Sequence, residues 1–269
     1  MATEPSLVTE YATLTPLQIR ITTHERFSER PDDPSTAVLD ALALAGSEDL
    51  ADIGSGDGRF LARLALAGHT GRLVGVDSSE TMVAAAESIP GVQGVHGDAQ
   101  QLPFGDNEFD VCTARHMLYH VPDPAAALSE FRRITRQGGT VAVVVNHART
   151  CHRTYELVTT HARNHGVPPA TGMINNAVNS ETLPDMMRDA FGNTCIETFD
   201  NALSFDHPQP LIAFAESLFS FCGIAPENPH RAEIRAGVAA DIECWFATHP
   251  GERSRDPKGY TVALASVTT

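Results

Sequence analysis

The stretch LADIGSGDGRFL, residues 50–61, decides the fold of this chain. Its first four residues predict a short buried strand, and the residues from Arg59 onward have apolar side chains at helical spacing. Between them, Gly54, Gly56 and Gly58 predict a sharp turn, because glycine adopts backbone conformations that other residues avoid and lets a ligand approach the backbone closely. A strand that enters a helix through such a turn is typical of the first unit of a parallel α/β sheet with a ligand site at the turn.

The same alternation of strand and helix continues to residue 145. Further strands are predicted at 73–76, 92–95, 109–113 and 140–145, with helices at 59–68, 79–88 and 124–136 between them. Gly138 and Gly139 are predicted to close the last of these helices. Two later strands, at 194–205 and 259–267, raise the number of strands to seven. The pattern therefore predicts an α/β fold: a Rossmann-like, doubly wound, mostly parallel seven-stranded sheet with a helical cap.

The charge of the chain disfavours two classes of partner. It has 19 basic and 34 acidic residues, a formal net charge of −15 at pH 7, which repels nucleic-acid phosphates and anionic membrane surfaces. The sequence contains no run of about 18 apolar residues and no basic, apolar leader. We therefore expect a cytoplasmic protein whose partner is a small molecule, with no nucleic acid and no membrane. A homodimer is compatible with the sequence, although no segment argues for it.

Carboxylates follow the second and third predicted strands. Asp77 ends the second strand roughly 20 residues beyond the glycine turn, where an acid accepts both hydroxyls of a ribose. Asp98 follows the third strand and can accept a hydrogen bond from the exocyclic amine of adenine. A dinucleotide site is disfavoured, because Arg59 occupies the position of the third glycine and because Asp52 and Asp57 would repel a pyrophosphate. A ligand with a cationic centre fits this turn better.

Five motifs in this region occur together in one known family. They are D-I-G-S-G-D-G at 52–58, G-V-D-S-S at 75–79, G-D-A-Q-Q-L-P-F at 97–104, F-D-V-C-T-A-R-H-M-L-Y-H-V at 109–121 and R-Q-G-G-T-V at 136–141. In this order and spacing they resemble the class I S-adenosylmethionine-dependent methyltransferases, and most of all the small-molecule enzymes of bacterial metabolism. The resemblance covers roughly residues 48–146.

The resemblance implies S-adenosylmethionine as the cofactor, with Asp77 on the ribose and Asp98 on the adenine. The residues expected to bind this cofactor are Asp52, Gly54, Gly56, Asp77, Ser78, Met82, Asp98, Ala99 and Arg115. The residues expected to bind the substrate are Tyr11, Arg20, His24, Tyr119, His120 and Arg149. Several of these assignments have a structural alternative. Asp52 can simply organise the turn, Asp98 can simply cap the next segment, and Arg115 can belong to a structural ion pair. Arg20 and His24 recur at the spacing of an ordinary packed helix face.

Three polar residues are candidates for catalysis. Asn146 directly follows the fifth predicted strand, at the edge where parallel sheets bind ligands, and can orient an amine or hydroxyl; it can equally close a turn. His116 and His147 are candidate general bases, because an imidazole titrates near neutral pH. The metal motifs H-E-x-x-H and H-x-H are absent from the sequence, so we expect no metal site.

The flanks of the motif region are expected to complete a single domain over residues 1–269. Residues 46–146 form its cofactor-binding core and residues 1–45 an N-terminal helical lid. Residues 147–269 complete the sheet and supply cap insertions at 151–178 and 207–250. Helices in these flanks are predicted at 16–30, 36–45, 181–191, 210–222 and 230–248.

The favoured function is transfer of a methyl group to a small-molecule acceptor, in specialised metabolism. A second reaction keeps the cofactor but cyclises it to azetidine-2-carboxylate with release of methylthioadenosine. A non-catalytic S-adenosylmethionine-binding protein and a nicotinamide-dependent oxidoreductase are the remaining alternatives, and the glycine spacing argues against the oxidoreductase.

Overall fold

The computed structural model describes residues 16–31, 33–168 and 177–268. Within these ranges the chain forms two compact units. The sheet unit contains residues 33–148, 177–199 and 260–268, and the helical unit contains residues 16–31, 149–168 and 200–259. The predicted core at 46–146 lies in the sheet unit, whereas the described parts of the predicted lid are divided between the two units. The single-domain organisation stays a prediction.

Seven strands form one sheet with the order β3-β2-β1-β4-β5-β7-β6. The strands are β1 (Leu50–Ile53), β2 (Leu73–Asp77), β3 (Val92–His96), β4 (Phe109–Arg115), β5 (Thr135–Asn146), β6 (Cys195–Phe205) and β7 (Ser254–Ser266). Strands β1 to β5 pair in parallel, and β7 pairs antiparallel with β5. This topology confirms the predicted doubly wound, mostly parallel seven-stranded α/β fold.

The helices of the described residues follow most of the predicted positions. They are α1 (Pro16–Phe27), α2 (Pro34–Leu42), α3 (Arg59–Leu66), α4 (Glu80–Glu87), α5 (Pro124–Ile134), α6 (His152–Asn164), α7 (Leu183–Phe191), α8 (Pro208–Ser217) and α9 (Arg231–Thr248). None of the helices within the described ranges combines the length and apolarity that crossing a membrane requires.

The prediction that Gly138 and Gly139 close a helix was wrong. Helix α5 ends at Ile134, and Thr135 is already extended and pairs with Phe109 across the sheet. Both glycines lie inside β5, where Gly138 N donates to Val267 O over 2.8 Å and Gly139 O accepts from Val267 N over 2.9 Å. They allow the irregular register at the start of this strand, since a Cβ on Gly139 would lie 2.6 Å from Asp110 O.

Helix α6 was not predicted from the sequence. Three buried side chains at helical spacing, Thr154, Val158 and Ala162, pack this helix into the helical unit. Its first turn is capped by the buried carboxylate of Asp256, which accepts from Arg153 N over 3.1 Å and from Thr154 N over 2.8 Å. A cap supplied from so distant a part of the sequence leaves no local signal.

Each unit has its own apolar core. In the sheet unit, strand β1 is buried along its whole length, and Phe60 and Leu61 of α3 pack against it from one face. In the helical unit, α1, α6 and α9 pack around α8, and Phe214 of α8 is buried in this cluster.

Strands β2 to β5 each extend beyond their predicted ends. The last residues of β2, β4 and β5 are therefore Asp77, Arg115 and Asn146. Because β1 to β5 are parallel, their carboxyl ends meet at one edge of the sheet, where this class of fold binds its ligands.

Candidate functional site

The glycine turn after β1 requires its glycines for steric reasons. Gly54 has a φ of 67°, and a Cβ at this position would lie 2.6 Å from the Cβ of Met117. No rotamer of Met117 relieves that contact, because its Cβ is fixed to the backbone. Any side chain at residue 54 would therefore displace the segment that follows β4.

The carboxylate of Asp77 is held in place by the same turn. Its Oδ2 accepts from Gly56 N over 2.9 Å, and its Oδ1 accepts from Ser79 N over 3.0 Å. A carboxylate has about four acceptor positions, so both oxygens keep a lone pair for a further donor. Asp77 is thus fixed at the end of β2 and can still accept the two hydroxyls of a ribose.

A cavity of about 480 Å³ lies at this edge of the sheet unit. Its volume is in the range of pockets that hold a small ligand. The residues that line it are Ile53, Gly54, Val76, Asp77, Ser78, Gly97, Asp98, Ala99, Gln100, His116, Met117, His120, Val121 and Pro122. The structure therefore brings together seven of the predicted site residues: Gly54, Asp77, Ser78, Asp98, Ala99, His116 and His120.

Asp52 and Arg115 form an ion pair beside the turn. Asp52 is fully buried, and its carboxylate accepts from Arg115 Nη2 over 2.7 Å and from the Thr113 hydroxyl over 2.7 Å. The Arg115 guanidinium lies over the ring of Phe60 at 4.1 Å. These contacts agree with the structural alternative for both residues, and neither is among the described residues that line the cavity. Their contact with a cofactor stays a prediction.

Two other predicted cofactor residues also lie outside the cavity lining. Gly56 contributes its backbone N–H to Asp77, and a Cβ on it would meet no atom within 4 Å. Met82 lies half-buried in the first turn of α4.

Two histidines, His116 and His120, also line the cavity. His116 adopts a φ of 53°, unusual for a residue other than glycine, and its N donates to Val144 O over 2.8 Å. His120 lies in a single helical turn, Leu118–His120. His120 is exposed, but partial desolvation lowers the pKa of its imidazole below the ordinary value, which favours the neutral form of the ring at pH 7.

The structure places the remaining predicted polar residues as follows. Asn146 ends β5, and its Nδ2 donates to the hydroxyl of the buried Tyr119 over 3.3 Å. His147 is half-buried directly after it, and Arg149 is exposed and belongs to the helical unit. Tyr11 lies outside the described residues.

Arg20 and His24 contact other parts of the helical unit. Arg20 Nη1 donates to Ser217 O over 2.6 Å, and its guanidinium lies 4.8 Å from the ring centre of Phe221. The ring of His24 packs edge-to-face on Phe214, and its Nδ1 lies 3.3 Å from Lys258 Nζ. Their predicted role in substrate binding stays a prediction.

Seven cavity residues were not predicted: Ile53, Val76, Gly97, Gln100, Met117, Val121 and Pro122. All of them lie inside or beside the motifs at 52–58, 75–79, 97–104 and 109–121. Their proximity to acidic and histidine residues of the site was the available signal.

The cavity fits the nucleoside part of S-adenosylmethionine. Asp77 and Asp98 are hydrogen-bond acceptors for a ribose diol and an exocyclic amine, and their negative charge favours a cationic ligand over a pyrophosphate. No group of three or more metal-binding side chains occurs within the described ranges.

Comparison with known proteins shows what the sheet unit resembles. A family model described as a methyltransferase domain matches residues 51–143. The demethylmenaquinone methyltransferase of Staphylococcus saprophyticus is 45% identical over 78 residues, which cover 28% of this chain and 34% of that enzyme. This chain matches 32% and 34% of the length of the first two curated relatives.

Solved structures share the fold over most of the chain. A protein of Bacillus halodurans with a provisional methyltransferase assignment has a TM-score of 0.57 at 19% identity, over 88% of this chain and 99% of that one. An S-adenosylmethionine-dependent methyltransferase of Thermotoga maritima has a TM-score of 0.50 at 20% identity, over 93% of this chain and 94% of that one. Residues 51–143 of this chain therefore match the methyltransferase-domain family, and the chain shares the fold of these solved structures.

Proposed function

We propose that this protein is an S-adenosylmethionine-dependent methyltransferase that methylates a small-molecule acceptor in a biosynthetic pathway. The observation that carries the proposal is the cavity at the strand ends of a methyltransferase domain, with Asp77 and Asp98 on its wall. Asp77 ends β2 and Asp98 follows β3, so the strands of the domain fix the positions of both carboxylates. Both residues line a cavity whose volume suits a small ligand.

The residues of this site have distinct tasks in the proposed reaction. Asp77 accepts the ribose hydroxyls and Asp98 accepts the adenine amine, which together fix the position of the nucleoside. S-adenosylmethionine supplies an electrophilic methyl group on a sulfonium centre. Holding the acceptor in line with that methyl group accounts for much of the expected acceleration.

A general base removes one proton from the acceptor. His120 is suited to this task because it lines the cavity and because partial desolvation lowers the pKa of its imidazole, which favours the neutral form at pH 7. His116 also lines the cavity, and Asn146 with Tyr119 forms a polar pair at the end of β5 that can orient an amine or hydroxyl. His147 is the remaining candidate base.

Two observations support a small acceptor. The curated relative from Staphylococcus saprophyticus acts, by its name, on demethylmenaquinone, which is a small molecule. The net charge of −15 disfavours nucleic acid as a substrate.

The proposal is tested by incubating the purified protein with S-adenosylmethionine and a panel of phenols, amines and quinols, followed by mass spectrometry. We expect S-adenosylhomocysteine together with one product that is 14 mass units heavier than its acceptor, and no such product with Asp77→Ala. Failure to bind S-adenosylmethionine would refute the proposal. Tight binding with no product across a broad panel would favour a non-catalytic binding protein.

The polar pair of Asn146 and Tyr119 also suits a second reaction, cyclisation of the cofactor. In that reaction the amine of S-adenosylmethionine attacks its own γ-carbon, and methylthioadenosine leaves with the bond electrons as azetidine-2-carboxylate forms. Incubation without an acceptor separates the two reactions. Methylthioadenosine above the enzyme-free rate supports the cyclase, and unchanged cofactor supports methyl transfer.

A further inference from the structure

The side-chain amide of Gln100 joins two segments of the cavity wall. Its Nε2 donates to both carboxylate oxygens of Asp98, over 3.2 Å and 3.3 Å, and its Oε1 accepts from Asp123 N over 3.0 Å. A backbone N–H can only donate and a carboxylate can only accept. The amide therefore satisfies both neighbours in only one orientation.

Gln100 is also the main support of the Asp98 carboxylate. Its backbone N donates to Asp98 Oδ1 over 2.9 Å, in addition to the two bonds from its side chain. Among the described residues, every hydrogen bond to this carboxylate comes from Gln100. Asp98 is otherwise exposed at the surface of the cavity, where an unsupported side chain would rotate freely.

The Oε1 atom of Gln100 is hydrogen-bonded to the residue that caps helix α5. Asp123 caps helix α5, with its Oδ1 accepting from Ala126 N over 3.1 Å and Pro124 at the first helical position. Val121 and Pro122, directly before this cap, line the cavity. Gln100 thus connects the carboxylate of Asp98 to the start of helix α5 by hydrogen bonds, which hold that carboxylate in one orientation.

We propose that Gln100 is a positioning residue that orients Asp98 toward the 6-amino group of adenine and makes the cavity select 6-aminopurine over 6-oxopurine nucleosides. The inference rests on the proposed function, because it takes an adenosyl compound as the ligand. An oriented carboxylate accepts from an amine, whereas a 6-oxo group places a second acceptor against the carboxylate and finds no donor there.

Calorimetric titration with S-adenosylhomocysteine and with its 6-oxo analogue, S-inosylhomocysteine, tests this role. For the wild-type protein we expect at least roughly tenfold tighter binding of the adenine compound, since unpaired polar groups penalise the analogue. Gln100→Ala should weaken the adenine compound by about tenfold and the 6-oxo analogue by less than about threefold. The matched control is Gln101→Ala: this neighbouring side chain is exposed, and binding of both compounds should stay within about twofold of wild type.

Gln100→Glu distinguishes the contact of the amide with Asp123 from its contact with Asp98. It keeps an acceptor for Asp123 N but places a carboxylate against Asp98. Like charges so close oppose joint ionisation, so binding of S-adenosylhomocysteine should weaken strongly at pH 8 and recover toward pH 5, where one shared proton restores a donor. The other titratable groups that line the cavity or contact residue 100 are Asp77, Asp98, Asp123, His116 and His120. Wild-type titrations at the same pH values account for their contribution.

The outcomes separate the inference from the proposed function. A wild-type protein that binds neither nucleoside refutes the proposed function itself. A wild-type protein that binds the adenine compound, together with Gln100→Ala that matches Gln101→Ala, refutes the role of Gln100 alone. Equal weakening of both nucleosides by Gln100→Ala would also refute it, because a purely structural role predicts that result.

Discussion

The guanidinium of Arg115 donates to both carboxylate oxygens of the buried Asp52, over 3.2 Å to Oδ1 and 2.7 Å to Oδ2. The pair crosses from the end of β4 to β1, at the start of the glycine turn. It compensates a charge that would otherwise be buried without a partner.

Arg115→Ala should lower the free energy of unfolding by about 3 kcal/mol, because Asp52 would keep an uncompensated buried charge. The double variant with Asp52→Asn should lose clearly less, since it removes that charge. Urea unfolding of both single variants and of the double variant measures the coupling energy between Arg115 and Asp52. As a control, Arg59→Ala removes an exposed pair with Asp57 and should change stability by less than about 0.5 kcal/mol. Equal losses in the single and double variants would contradict this account.

Gly54→Ala should destabilise the protein far more than Gly56→Ala. Both glycines have positive φ, which costs an alanine roughly 1 kcal/mol at either position. Only residue 54 has the Cβ of Met117 in the way, and this overpacking adds about 1–3 kcal/mol. Thermal unfolding of the two variants compares them directly, and similar melting temperatures would show that the Met117 contact is unimportant.

The free energy of unfolding should decrease as the pH decreases, and protonation of His120 should account for part of this decrease. Burial lowers its pKa in the folded state, so the unfolded chain takes up this proton first as the pH decreases. The contribution of His120 is complete above its ordinary pKa of about 6.5 and is lost as the pH falls from there through the lowered folded value. Urea unfolding between pH 7.5 and pH 5 should show a shallower decline for His120→Gln than for wild type. An unchanged slope would argue against a lowered pKa of His120 in the folded protein.

Thr23→Val should stabilise the helical unit. The Thr23 hydroxyl is fully buried in α1, and it has no hydrogen-bond partner within the described ranges. Valine has nearly the same shape and leaves no unsatisfied group, so we expect a gain of about 1 kcal/mol. The control is Thr22→Val on the same helix, where the half-buried side chain should give a smaller change. A loss of stability in Thr23→Val would mean that the hydroxyl has a partner.

The local patterns of the sequence were sufficient to predict the sheet unit. Each βα unit between residues 50 and 145 is continuous in sequence, so apolar periodicity located its strands and helices. Asp77 and Asp98 were predictable for the same reason, because they follow predicted strands.

Features that depend on distant residues were not predictable in this way. Helix α6 takes its cap from Asp256, far along the chain. The importance of Gln100 depends on Asp123, which meets it only in the folded protein. Gly138 and Gly139 resemble a helix end locally, and only their pairing with Val267, directly after β7, shows that they belong to the sheet.

A crystal structure of the protein with S-adenosylhomocysteine tests the central claim most directly. The account predicts the adenosyl group in the cavity at the strand ends, with its ribose hydroxyls on Asp77 and its 6-amino group on Asp98. A nucleoside bound elsewhere, or bound here without contact to Asp77, would contradict it.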